Sequence, residues 1–246
     1  MGAGFAVCHP AVPTLQSLVN HEGVHDMLRK SAITILLVMG CVTAMAAQAS
    51  AATVGGEVFG AFSTHSMKDW NDRVVAPVNQ SGGNMDKFSD GYGGGLGLRV
   101  WPNSTWMLSA SWEPLFVSRE EKVSGDQANL KANSFQATAG YFFPSSTQAR
   151  FGLGAGLGYY SLGGKITSSS TSDVNLEGST VGFHFMGLAE WLVKPGFSLT
   201  GSAGYRVADI KDTKAANQSA TPELSTDYSG LMLRAGVAFY LPGVSK

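Results

Sequence analysis

GYGGGLGLRVWPNSTWMLSASWEPL, residues 91–115, decides how this chain folds. Apolar side chains occupy every second position from Tyr92 to Val100 (Tyr92, Leu96, Leu98, Val100) and again from Trp106 (Trp106, Leu108, Ala110, Trp112), with Pro-Asn-Ser-Thr between them. Period two on both sides of a turn predicts a β-hairpin. The opposite parity holds glycines, serines and two lone charges, Arg99 and Glu113. Each arm has the length, about 9–11 residues, that crosses a bilayer with tilt. One side of the hairpin is suited to lipid and the other to a narrow polar interior.

Composition supports this reading. The chain has 246 residues and a formal net charge of -1, which excludes a strongly basic nucleic-acid footprint or an acidic tail. Charged residues make up only 14%, well below the soluble average of about 25%. Mean hydropathy is nevertheless only +0.04. No apolar run after Ala52 approaches the roughly 20 residues of a membrane helix. Low charge, 31 glycines and 10% aromatics without a helical span point to membrane β-structure. In lipid only helices and closed barrels satisfy their own backbone.

Residues 27–51 have the layout of a cleaved signal peptide, with Arg29 and Lys30 as the positive start, Ile33 to Cys41 as the apolar core and Ala-Ser-Ala at 49–51 as the cleavage site. Residues 1–26 then form either a leader extension or an over-called start with Met27 the true one, and 52–246 form the barrel. A retained anchor and lipidation of Cys41 are the alternatives to cleavage. Cys8 and Cys41 both precede the cleavage site, so the mature chain is expected to have no disulfide framework and no Cys metal site.

Along 52–246 the alternating segments predict eight strands: about 54–63, the two arms of the hairpin, 133–143, 150–165, 180–193, 197–210 and 228–241. Short and long connections alternate strictly. The long ones are His65–Phe88, Arg119–Lys131, Thr167–Asn175 and Lys211–Ser225. Each short turn contains a proline (Pro102, Pro144, Pro195) flanked by aromatics. Trp101, Trp106, Phe143, Phe151, Trp191 and Phe197, with Phe239 and Tyr240 at the closing strand, are expected to form the aromatic girdle of one membrane interface. The fold expected is all-β, an eight-stranded antiparallel up-and-down transmembrane β-barrel.

Parity is the sharper test. With the apolar side outward, the other parity collects Glu57, Arg99, Glu113, Glu190, Arg206 and Arg234, and no charge at bilayer depth faces lipid. A basic residue on the lipid face at the midplane costs about 2–4 kcal/mol, so this segregation is what a lipid-exposed exterior requires. An eight-stranded barrel is just wide enough for side chains to fill it. The six charges are therefore expected to form a lumen ion-pair network, Glu57 with Arg99, and Glu113 and Glu190 sharing Arg206 and Arg234. Ion conduction along the same groups is the competing reading.

The glycine-rich alternating strands, the GYGGGLGLRVWPNSTW hairpin and the terminal strand GLMLRAGVAFYL resemble the small eight-stranded outer-membrane barrels, the OmpA-barrel, OmpX and OmpW-like group, over essentially all of 52–246. The resemblance implies residence in the bacterial outer membrane, with lipid and lipopolysaccharide as surroundings and the barrel-assembly machinery as partner during insertion. Its OmpW-like branch implies a path for small hydrophobic molecules. In that group the last strand ends on Phe, whereas here Phe239-Tyr240-Leu241 is followed by Pro242 to Lys246. Similar barrels include lipid A deacylases that use His and Ser. The corresponding pair would be His184 and Ser202, but both take the inward parity. The sequence contains no metal-ligand spacing, phosphate loop or nucleophile elbow, and no cofactor or nucleic-acid partner is expected. The four long loops are the expected place for an extracellular ligand, the first with Met67, Trp70 and Met85 and the second with Glu120, Glu121 and Lys122, and hydrated connectors are the alternative. The function expected is structural or surface interaction, with a narrow pore or hydrophobic path as runner-up and lipid modification as a remote third.

Overall fold

The computed structural model describes residues 52–120, 122, 127–145, 148–167, 174–215 and 224–241. Residues 1–51, where the leader and signal peptide are expected and where both cysteines lie, and 242–246 fall outside these. Among the described residues ten strands form in chain order: β1 (Thr53–Thr64), β2 (Asp90–Trp101), β3 (Trp106–Glu120), β4 (Gln127–Phe142), β5 (Ala149–Thr167), β6 (Val174–Lys194), β7 (Phe197–Val207), β8 (Asp209–Ala215), β9 (Leu224–Asp227) and β10 (Gly230–Tyr240).

Antiparallel pairing runs β5-β4-β3-β2-β1-β10-β7-β6, and β6 pairs back onto β5, so eight of the strands close a ring. Closure leaves no unpaired backbone edge at bilayer depth. β8 and β9 form a ribbon beside β6 beyond the ring. Among the described residues no helix is long and apolar enough to cross a membrane. The crossing is made by strands.

The alternation seen in the sequence is the alternation of faces. Val58, Leu96, Trp112, Leu153, Leu157, Val181, Phe183, Phe185, Leu231 and Leu233 all project from the ring and are at least 40% exposed, as a lipid-facing band requires. Their chain neighbours point inward. Glycines allow strands to bend where a side chain would collide with backbone. At Gly156 a Cβ would lie 2.0 Å from the Ala137 carbonyl oxygen and 2.6 Å from His184 Nε2.

Several strands are longer than the sequence predicts. β3 continues to Glu120 and β4 begins at Gln127, so the charged loop expected at 119–131 is mostly strand. β8 and β9 likewise occupy part of the last long loop. In the ring strands the reason is a polarity inversion along the strand, clearest in β4. Near the turns its inward residues are polar (Ser134, Gln136, Thr138) and its outward ones apolar (Phe135, Ala137, Tyr141). Beyond residue 133 the inward set becomes Ala132, Leu130 and Ala128, and the outward set Lys131 and Asn129. Above the bilayer the outside meets water and the inside needs an apolar core, so period two persists while its sign reverses.

That core is supplied partly by the first long connection. It folds into a short helix α1 (Lys68–Trp70), a π-helical turn (Asn71–Val75) and α2 (Ala76–Gln80). Asn71 clamps Phe88, its amide donating to the Phe88 carbonyl and its oxygen accepting from the Phe88 N–H at 2.8 Å. Asn79 holds Met85 in the same way. Trp70 Nε1 donates to Thr226 Oγ1 on β9 at 2.9 Å. Met67, Trp70, Val75, Met85 and Phe88 thereby pack against Leu115, Leu130, Leu162, Ile210 and Tyr228. The reading of Met67, Trp70 and Met85 as part of an adhesive loop surface is corrected. All three are buried, because the mouth of the ring offers them apolar surface.

Candidate functional site

The lumen, where the sequence concentrates its charges, is layered from the short turns toward the long loops. The first layer holds Glu57, Arg99, Glu190, Arg150 and Tyr240. Arg99 donates through Nε to Glu57 Oε2 at 2.9 Å and through Nη2 to Oε1 at 2.5 Å, a two-pronged contact between neighbouring strands β1 and β2. Thr200 adds a third donor to Glu57 at 2.7 Å.

Glu190 departs from the expected pairing. Its carboxylate lies 3.2 Å from Arg150 Nη2 and 3.6 Å from Arg99 Nη1, and it accepts from the Tyr240 hydroxyl at 2.7 Å. It does not share Arg206 or Arg234. Glu190 sits one residue from the interfacial Trp191, so it belongs to the shallow layer and meets the charges there. Sequence reasoning missed Arg150. Its parity on β5, opposite to Phe151, carried the signal.

The girdle needs correction at two positions. Trp106, Phe143, Phe151, Trp191 and Phe239 are exposed, with Phe197 half-buried against Phe239 at a ring separation of 5.1 Å. Trp101 instead turns inward and is 4% exposed. Its ring packs on Phe142 at 4.8 Å, and the Arg150 guanidinium lies 3.8 Å above it. Tyr240 also faces in, toward Glu190. Parity explains both, since Trp101 shares the inward parity of Arg99 on β2 and Tyr240 follows the outward Phe239 on β10.

The middle layer is built on Glu113, fully buried, whose carboxylate contacts Arg234 Nη2 and lies 3.7 Å from Arg206 Nη1. Arg234 also donates to Gln136 Oε1 at 2.6 Å, and its guanidinium lies 4.9 Å over the Phe59 ring. Arg206 donates from Nε to the Tyr228 carbonyl at 3.0 Å. His184 shares a 2.9 Å hydrogen bond between Nε2 and Thr138 Oγ1. Ser202, the remote candidate partner of His184, is not beside it. In the β6–β7 register His184 stands opposite Arg206 and Ser202 opposite Leu188, four residues along.

Between the two ionic layers lies a void of about 20 Å³ lined by Glu57, Arg99, Ser111, Thr138, Thr200 and Arg234. That is space for about one water. Toward the loops the lumen ends on Tyr160, Tyr228 and His65 beneath the apolar core. His65, on the loop side of β1, is held at a pKa of about 4, chiefly because burial disfavours its charged form and secondarily because Arg206 repels it. Burial likewise pushes the Tyr228 hydroxyl upward. On the outer surface an open groove of about 480 Å³ runs between the first and second loops, crossed by ion pairs Arg119–Asp90 at 2.9 Å and Lys122–Asp86 at 3.1 Å. Among the described residues no group of three or more His, Cys, Asp or Glu has the arrangement of a metal site.

Residues 33–239 match the family model described as the outer membrane protein beta-barrel domain. Among solved structures the chain is similar to the outer membrane protein OprG from Pseudomonas aeruginosa, at 12% identity and a TM-score of 0.51, over 78% of this chain and 96% of that one. A major outer membrane protein from Thermus thermophilus is similar at 12% identity and a TM-score of 0.52, over 77% and 99% of the two chains. At these identities the likeness is one of fold. None of the curated protein sequences compared with the chain matches it.

Proposed function

The chain belongs to the outer membrane β-barrel family and resides in the bacterial outer membrane, and from that premise we propose that it is a sealed barrel that works through its outer surface and extracellular end rather than by conduction. The observation that carries this reading is the filling of the lumen. Trp101, Phe142 and Arg150 occupy the turn end, two ionic layers follow, and Trp70 and Phe88 lie over the loop end. An ion crossing this column has to displace paired charges from a low-dielectric interior, where leaving one partner unpaired costs about 3–5 kcal/mol.

The long strands support the same reading. Above the bilayer they build a rigid extracellular cup with its own core and a hydrated outside, a platform of the kind that carries recognition. Outer-membrane lipid and lipopolysaccharide surround the band, and Phe239, outward on β10, is the residue offered to the barrel-assembly machinery. Planar-bilayer recording tests the proposal. The folded protein is expected to leave the bilayer silent. Steady open events abolished by Arg206→Ala would overturn the reading in favour of a pore.

A further inference from the structure

On the lipid-facing side of β3, β4 and β5 the apolar band ends abruptly at one lysine. Phe116 pairs across strands with Lys131, and the Lys131 ammonium lies 5.4 Å from the Phe116 ring centroid. From Tyr141 at the girdle to Lys131 is ten residues of β4. At a rise of about 3.4 Å and a tilt of about 40° that is about 25 Å, the height of the apolar band of an outer-membrane barrel. Lys131 is thus at the external interface, where the polarity of the strand has just reversed. Its side chain is exposed and makes no ion pair among the described residues.

The register places further polar groups around it. Gly163 on β5 stands opposite Lys131 and leaves the outward face on that side of β4 open, since a Cβ there would meet nothing within 4 Å. Lys165 follows two positions on, on the same outward face, about 7–8 Å away diagonally. Asn129 and Asn133 flank Lys131 along β4, and Ser161 flanks Gly163 along β5. Glu177 on β6 stands opposite Gly163 and diagonal to Lys165, so Lys131, which has no acidic partner among the described residues, is the cation that carries the proposal.

We propose that this patch, Lys131 and Lys165 with the amides and hydroxyl around them, binds the phosphate groups of phosphorylated glycolipid in the outer leaflet. Charge and depth argue together. A glycolipid whose acyl chains lie along Phe135, Trp112 and Phe116 has its phosphates at the height of Lys131. The lysine stem rests on the aromatic ring while its ammonium reaches the headgroup plane. A soluble phosphate gains nothing from the apolar band below, so the complete surface fits a lipid. The inference rests on the placement of the chain in the outer membrane and deepens the surface-acting reading of its function.

The test is the affinity of the folded protein, in a neutral detergent, for bisphosphorylated lipid A and for the same lipid with its phosphates removed. Each interfacial lysine is expected to contribute about a fivefold effect, so Lys131→Gln loses about fivefold and the Lys131→Gln/Lys165→Gln pair about twenty-five-fold. Lys194→Gln, exposed at the turn end of β6 and so at the opposite end of the barrel from the patch, is expected to bind as the parent does. Heat-modifiable gel mobility shows that each variant is folded. Equal affinity for the dephosphorylated lipid overturns the proposal, as does parental affinity in the double variant or an equal loss in Lys194→Gln. Ion conduction would sink the sealed lumen without altering any of these lipid affinities, so the two failures are separable.

Discussion

Replacing Glu113 by Gln tests whether the ionic layers hold the barrel together. Glu113 is fully buried and is the carboxylate facing both Arg206, also fully buried, and Arg234, whose side chain is 11% exposed. Glutamine keeps the shape and can still accept from Arg234, but two guanidinium groups then share a low-dielectric space without a counter-charge. Removing one partner of a buried pair costs about 3–5 kcal/mol, and here two cations lose the same partner, so the upper half of that range is expected. For a chain of this size each kcal/mol moves the unfolding midpoint by about 2–4 °C, which predicts a fall of about 8–20 °C. The assay is heat-modifiable gel mobility of protein refolded into lipid, with guanidinium unfolding as a second measure. Glu113→Gln/Arg234→Gln should recover part of the loss, since the excess charge is reduced. A single variant within about 1 kcal/mol of the parent, or a double variant no better than the single, would refute the view that these charges are mutually compensating.

Other expectations follow from local geometry. Gly156→Ala drives a methyl into the Ala137 carbonyl and the His184 ring, and overpacking of this kind costs about 1–3 kcal/mol or more. Gly163→Ala, where the new methyl meets nothing within 4 Å, should stay within about 0.5 kcal/mol, and the two unfolding midpoints compared side by side check the contrast. His65 is buried neutral with its pKa lowered from 6.5 to about 4, so the unfolded state takes the proton first. The stability it contributes is complete above pH 6.5 and is lost as pH falls toward 4, by at most about 3 kcal/mol. Hydrogen-exchange protection factors of residues 66–88, each rate taken relative to the intrinsic amide rate at the same pH, should therefore fall between pH 7 and pH 5 in the parent protein. Exchange in a His65→Leu variant should change less, and identical pH profiles would refute the assignment.

Much of the fold was legible before any coordinates because period two is a local property. Tyr92, Leu96 and Leu98 alternate with glycines regardless of where the partner strand lies, so the outward set, the eight-strand ring and the inward direction of all six lumen charges followed from parity. The same parity placed Trp101, Tyr240 and Arg150 inside, although the aromatic positions beside the turns suggested a girdle for the first two. Partner choice was another matter. Glu190 meets Arg150 and Arg99 rather than Arg206 and Arg234 because depth and stagger around the ring decide which inward residues share a layer, and neither is written in one strand alone. Met67, Trp70 and Met85 gave no periodic signal, and they are buried only because the strands rise past the bilayer and leave an apolar mouth to be filled. The chain by itself determined which way each strand residue points. Only the closed ring determined what that residue meets, because a side chain's direction depends on its own backbone and its neighbours depend on the register of every other strand.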